Sequence, residues 1–197
     1  MKKTWLLSVM MIATFASGAH AAVGATWVGM NAGISMPFGD FSDFASTGFN
    51  LGVTGDYMRT ESWALGGEIG WHKFGGNDDL EKSESARLGV PVEFTVRVIP
   101  ITAHAKYLLP ANETMAPFVK GAFGLYNLNF KTDAGTLGES DHSETKFGFQ
   151  VGGGLNFGGT ESVAYGAEIL YHYIATEDQA SNMVTLRGQI LFGFPAR

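Results

Sequence analysis

The chain has 197 residues, enough for one domain, with 19 acids against 13 Lys and Arg and a formal net charge of −6. No basic patch interleaved with aromatics appears, which argues against nucleic acid as a partner. Cysteine is absent, so no disulfide helps an exported chain and stability must come from the fold itself.

Lys2 and Lys3 precede an apolar run from Trp5 to Ala16, and Ala19-His20-Ala21 closes it. That order of charged, apolar and small residues predicts a secretory signal peptide over 1–21, cleaved after Ala21, and one domain over 22–197. The run is shorter than the roughly 20 residues of a spanning helix, and no later run is long enough.

From Thr26 to Met36 the sequence alternates. Val28, Met30, Ala32, Ile34 and Met36 share one face of a strand; Trp27, Gly29, Asn31, Gly33 and Ser35 share the other. Pro37-Phe38-Gly39-Asp40-Phe41 breaks the pattern and a loop follows. Gly48 to His72 then reads as two strands around a short turn, Arg59 to Ser62, and this stretch is written twice. Gly48-Phe49-Asn50-Leu51-Gly52 returns as Gly148-Phe149-Gln150-Val151-Gly152, and Thr60-Glu61-Ser62 as Thr160-Glu161-Ser162. Glu68-Ile69-Gly70-Trp71-His72 returns as Glu168-Ile169-Leu170-Tyr171-His172. On the rising strand of the first copy one face is apolar, with Trp63, Leu65, Gly67, Ile69 and Trp71, and the other is small or ionisable, with Ala64, Gly66, Glu68, Gly70 and His72.

A long charged connection, about 75–91, leads to a fourth strand, Val92 to Leu109. Its apolar set shifts phase at Pro100, from Phe94, Val96 and Val98 to Ile101, Ala103, Ala105 and Tyr107, which predicts a bulge. A turn at Pro110–Thr114 gives strand five, Ala116 to about Asn129. A polar loop, about 130–144, gives strand six, Thr145 to Phe157. Gly158–Ser162 turns into strand seven, ending near Ile174. A loop around Glu177 and Asp178 gives strand eight, Met183 to Phe194.

Eight strands near the 9–11 residues of a tilted membrane strand, joined by alternating long and short connections, predict an all-β fold. It is an eight-stranded antiparallel up-and-down transmembrane β-barrel, with short periplasmic turns and long acidic external loops. The outward aromatics Tyr57, Trp63, Trp71, Tyr107, Phe157, Tyr165, Tyr171, Tyr173 and Phe194 fall near strand ends, where an interfacial girdle belongs. The inward ionisable residues Asp56, Glu68, His72, His104, Lys106, Lys120, Glu168, His172 and Arg187 predict a polar network in a side-chain-filled lumen. Hairpin arithmetic sets Lys106 opposite Lys120, with Glu68 as the acid between them. It sets Glu168 opposite Gln189, one diagonal step from Arg187.

The chain resembles the small eight-stranded outer-membrane barrel proteins, the OmpA/OmpX-like and opacity-like group with a porin-like outer-membrane β-barrel domain. The resemblance spans the whole mature chain. It is carried by Pro37-Phe38-Gly39-Asp40-Phe41, by Ala64-Leu65-Gly66-Gly67-Glu68 and by the strand-five run Pro117-Phe118-Val119-Lys120-Gly121-Ala122-Phe123-Gly124-Leu125-Tyr126. These motifs speak for the barrel and say little about activity. Members commonly end on an aromatic residue read by the barrel-assembly machinery; here Phe194 is followed by Pro195-Ala196-Arg197.

The histidines lack ligand spacing on any one strand, so no metal or cofactor is expected. His142-Ser143-Glu144 has the residue types of a hydrolase, but adjacent residues on an extended chain point apart, so no catalytic set is expected. Asn77-Asp78-Asp79-Leu80-Glu81 lacks the alternate-residue spacing and central glycine of a calcium loop. The expectation is a non-enzymatic, monomeric integral protein of the outer membrane of a Gram-negative-type envelope, with a structural or surface-exposed role. Its partners are outer-membrane lipid and, during biogenesis, the barrel-assembly machinery. A narrow porin-like channel for small or hydrophobic solutes is one alternative. A soluble periplasmic lipocalin-like binder, whose apolar set would face inward, is another.

Overall fold

The computed structural model describes residues 22–110, 115–160, 162–176 and 180–195. The signal segment, His20, Glu161, Glu177, Asp178, Ala196, Arg197 and most of the turn at Pro110–Thr114 lie outside the described residues.

Eight antiparallel strands close in sequence order: β1 Thr26–Phe38, β2 Gly48–Met58, β3 Trp63–Gly75, β4 Glu93–Leu108, β5 Met115–Asp133, β6 Glu139–Thr160, β7 Val163–Ile174 and β8 Ser181–Phe194. β1 completes the circle against β8, from Thr26 opposite Phe194 to Phe38 opposite Asn182. Closure leaves no edge within the barrel, so every strand there finds a partner on both sides, as lipid requires.

Alternation sets the faces. Met30, Leu51, Ile69, Ile101, Phe123, Phe147, Ile169 and Leu186 are exposed on the outer wall. Asn31, Thr54, Glu68, Thr102, Lys120, Gln150, Glu168 and Arg187 are buried inside. The barrel is therefore apolar outside and carries its polar and charged side chains inside, which removes the lipocalin-like arrangement.

Three sequence expectations need correction. The pairing of β3 with β4 keeps one register on both sides of Pro100, with Glu68 opposite Thr102 and His72 opposite Val98, so no bulge forms there. Val96, Val98 and Pro100 simply face inward along with Thr102 and His104. The change at Pro100 is a change in what lines the lumen, from apolar to polar, with no change of face. A register shift does occur elsewhere, in β6 against β7 between Phe157 and Gly159.

The connection at 75–91 holds a helix, α1 Asp78–Leu88. It has no buried residue, so it shows no apolar stripe. Its ends carry it instead. The Asn77 side chain accepts from the Asp79 N–H at 3.0 Å, and Asp78, Asp79 and Glu81 lie in the first turn, where the helix dipole favours acids. Gly89 takes the left-handed cap at φ 72° and its N–H reaches the Ser85 carbonyl. Glu81 and Ser85 accept from the backbone N–H groups of Phe94 and Val92, at 2.7 and 2.9 Å, and tie the helix to the start of β4.

The polar stretch at 130–144 is mostly strand. β5 and β6 run on to Asp133 and from Glu139 around a 3-10 turn at Gly135–Leu137. Polar cross-strand pairs hold the extension: Lys131 with Glu139 at 2.8 Å, Asn127 with Ser143 at 3.2 Å, and Asn129 with Asp141.

Ile69 is 58% exposed at mid-strand on the lipid face. Ile69→Arg is expected to cost about 2–4 kcal/mol of stability at the bilayer midplane. A urea series on protein folded into lipid vesicles measures it, with the inward change Thr54→Ser as the milder comparison.

Candidate functional site: the charged lumen

The lumen is layered. At the end with the short turns, Trp27, Met58, Ala64, Ala164 and Leu191 form a buried apolar cluster. At the end with the long loops, Phe74, Val96, Val98, Tyr126, Leu128, Ile174 and Met183 form another. The loop after β1 contributes to this second cluster. Gly39, at φ 61°, turns the chain so that Phe41 folds inward and meets Phe74 edge-on, ring centroids 5.4 Å apart. Between these layers lie the ionisable groups.

Arg187 sits at the centre. β7 and β8 pair with Glu168 directly opposite Arg187, one step from the position expected, because Ile174 pairs with Ser181. The guanidinium donates from Nε to Glu168 Oε1 at 2.6 Å, and through both terminal nitrogens to Glu68 Oε1 and Oε2 at 2.7 and 2.6 Å. Its planar fork matches a carboxylate bidentately. The two glutamates are equivalent positions of the sequence repeat, and the barrel brings both to one arginine.

Lys106 stands opposite Lys120. No single acid bridges them. Lys120 Nζ donates to Glu68 Oε2 at 2.7 Å and lies 4.0 Å from Glu168 Oε2. Lys106 Nζ turns away to Asp56 Oδ2 at 2.7 Å and lies over the Phe118 ring, 4.9 Å from its centroid. Asp56 Oδ1 is also 2.6 Å from His104 Nε2. Glu68 is thus saturated by Arg187 and Lys120, and Asp56 serves the second lysine.

The two repeat histidines meet as well. His72 and His172 pack edge-on with ring centroids 5.6 Å apart. Asn50 donates to Ser35 Oγ at 2.9 Å, and Ser35 Oγ lies 2.8 Å from His72 Nδ1. His172 is held by Tyr126 and Thr185 at 3.3 and 3.2 Å. All nine ionisable residues expected inside are buried, and all but the two histidines join the ion pairs just described or pair with His104. The network expected from the ionisable residues left out the neutral members Ser35, Asn50, Tyr126, Thr102 and Gln150, the last two joined at 2.9 Å. Gln150 was marked by the repeat, since it occupies the place of Asn50.

Two glycines make room for this layer. A Cβ on Gly66 would run into the Gly55 carbonyl oxygen and come within 2.6 Å of His104 Nε2. A Cβ on Gly33 would collide with the backbone of β8 at Leu186 and Arg187.

Outside, Tyr57, Trp63, Tyr107, Phe157, Tyr165 and Phe194 lie on strand ends at the short turns, with Trp63 opposite Tyr107 and Phe157 opposite Tyr165. Trp71, Tyr171 and Tyr173 lie towards the long loops. There they contact Phe49, Phe38 and Phe149, at centroid distances of 5.3, 5.7 and 5.1 Å, three aromatics the sequence reading left out. The remaining histidine, His142, is exposed on β6. Its neighbour Ser143 bonds to Asn127. Among the described residues no group of three or more His, Asp or Glu gathers to hold a metal.

A closed eight-stranded barrel, apolar outside, charged inside and ringed by aromatics at both ends, is an integral barrel of the outer membrane. The chain belongs to the outer membrane protein beta-barrel domain family, whose profile matches residues 6–193. No curated protein sequence matches it. Its fold is similar to that of Neisserial surface protein A, at 18% identity and TM-score 0.59 over 87% of this chain and 99% of that one. It is also similar to Ail, the attachment invasion locus protein of Yersinia pestis, at 15% identity and TM-score 0.60 over 88% and 100%. OprG from Pseudomonas aeruginosa aligns at 14% identity and TM-score 0.59 over 91% and 99%.

Arg187→Ala leaves Glu68 and Glu168 facing each other without their shared cation and is expected to cost about 3–5 kcal/mol. Glu168→Ala alone is expected to destabilise clearly, and Glu168→Ala with Arg187→Ala to recover part of the summed loss. Urea unfolding of the four proteins of this cycle in vesicles gives the coupling.

Proposed function

We propose that this protein is a closed, non-conducting, monomeric barrel with a structural and surface-exposed role, in which the lumen serves stability and the long loops face the exterior. One observation carries the reading. Asp56, Glu68 and Glu168 are matched by Lys106, Lys120 and Arg187 in a buried ion-pair network, and that network lies between two apolar clusters. Eight strands leave an interior just wide enough for side chains. A solute crossing it would have to separate these pairs and displace both clusters.

Catalysis is not part of the proposal. The nearest hydrolase-like set, His142-Ser143-Glu144, is spread over alternate sides of β6, and Ser143 is engaged with Asn127. The outer wall supports the monomer, since its apolar residues are exposed around the barrel and suit lipid on every strand. Folding into the membrane is assigned to the barrel-assembly machinery, acting on a chain delivered by the signal segment.

Purified protein, refolded and reconstituted, is expected to give no solute-size-dependent swelling of liposomes and no steady channels in a planar bilayer. Steady large conductance would remove the closed lumen and restore the porin-like reading.

A further inference from the structure

We propose that Lys73 and Arg97 form a binding site on the outer wall for the phosphate group of an outer-leaflet membrane lipid. The two residues are directly opposite each other on β3 and β4, and both side chains are exposed on the outer face. Like charges facing across a strand pair repel. Inside the barrel the same problem, Lys106 opposite Lys120, is resolved by Asp56 and Glu68. Outside, neither Lys73 nor Arg97 has a hydrogen bond or ion pair with any described residue. Of the acids higher on that wall, Glu139 and Asp141 are engaged with Lys131 and Asn129, and Glu93 and Asp133 lie opposite each other at the far ends of β4 and β5. Lys131, close enough to Arg97 to be repelled by it, is neutralised by Glu139 and by the nearby Asp133, so the unmatched positive charge here is that of Lys73 and Arg97.

The height of the pair fits a headgroup. The climb from Trp63 to Lys73 along β3, at about 3.3 Å per residue and a tilt of about 40°, spans about 25 Å, the height of the apolar band in such barrels. Phe49 lies beside Lys73 as its partner on β2 and packs edge-on against Trp71 at 5.3 Å, and below them come the exposed side chains of Ile69, Ile101 and Leu125. A forked guanidinium beside an ammonium suits a phosphate, and the apolar strip beneath suits its acyl chains. A free phosphate ion would use only the upper half of this surface. The site lies on the outer wall and stands whether or not the lumen conducts.

The full chain, folded in a zwitterionic detergent, is titrated with lipid A carrying its phosphates, with dephosphorylated lipid A and with inorganic phosphate, and the urea midpoint is followed. A ligand bound only by the folded barrel raises that midpoint. Phosphorylated lipid A is expected to raise it, and the other two at equal concentration to leave it unmoved. The Lys73→Gln, Arg97→Gln double variant is expected to bind about tenfold more weakly or worse. Lys82→Gln with Arg87→Gln on α1 is expected to bind as the wild type does. An equal response to dephosphorylated lipid A or to inorganic phosphate overturns the proposal. So does full binding by the double variant, or an equal loss in the α1 variant. If the double variant does not fold, the three titrations of the wild-type chain decide alone. Conductance measured on the same preparation reports separately on the lumen.

Discussion

Arg187 between Glu68 and Glu168 is the interaction on which the structure turns. A charge inside a membrane-spanning wall is tolerated only when paired and hydrogen-bonded. The barrel meets that condition with one guanidinium that touches two carboxylates from opposite hairpins. Lys120 then has an acid within reach because Glu68 is held in place, and Lys106 is directed to Asp56. The glycines at 33 and 66 follow from the same demand, since a methyl group at either would push into β8 or into His104.

The internal repeat gains a physical meaning in this light. The hairpins β2–β3 and β6–β7 stand across the lumen from each other, so two pairs of inward counterparts come together at its centre. The glutamates share a cation and the histidines share a ring contact. Arg187 comes from β8, the last strand to be synthesised and the one that closes on β1. Before β8 docks, the lumen holds the acids Asp56, Glu68 and Glu168 against Lys106 and Lys120 alone, which leaves one carboxylate unmatched. Closure and neutralisation are therefore one event, and a seven-strand intermediate embedded in lipid is disfavoured by both its open edges and its charge.

Much of the barrel was legible because alternation with period two fixes which face each side chain takes. Outward Ile69 and inward Glu68 needed no structure to be assigned. Parity does not fix the step of the ladder. Gln189 and Arg187 share a face, so Glu168 opposite either one satisfied the pattern; the short connection from Ile174 to Ser181 decided it. The lumen caps were hidden for a related reason. Val96 and Val98 read as lipid-facing because apolar residues elsewhere were, yet they complete an interior cluster with Phe41 from a loop. Helix α1 was invisible to periodicity, since it packs no apolar stripe and rests on its caps and on Glu81 and Ser85. The extension of β5 and β6 is held by polar pairs, and these look like loop residues when read singly.

That extension has a consequence for life in a crowded membrane. β6 pairs with β7 only from Gly148 onward, while it pairs with β5 from Glu139. The Phe147 carbonyl still accepts from Ala175, so the stretch 139–146 stands beyond the barrel as one margin of a small sheet, with backbone groups turned away from β5. Proteins confined to two dimensions meet side by side at the same height, the arrangement in which such margins would join copy to copy into ribbons. Glu139, Asp141, Glu144 and Lys146 punctuate this stretch with charge, three acids to one lysine, and charged side chains on an unpaired strand oppose the pairing of neighbouring copies. The polar character that disguised this segment as a loop is also what keeps it solitary.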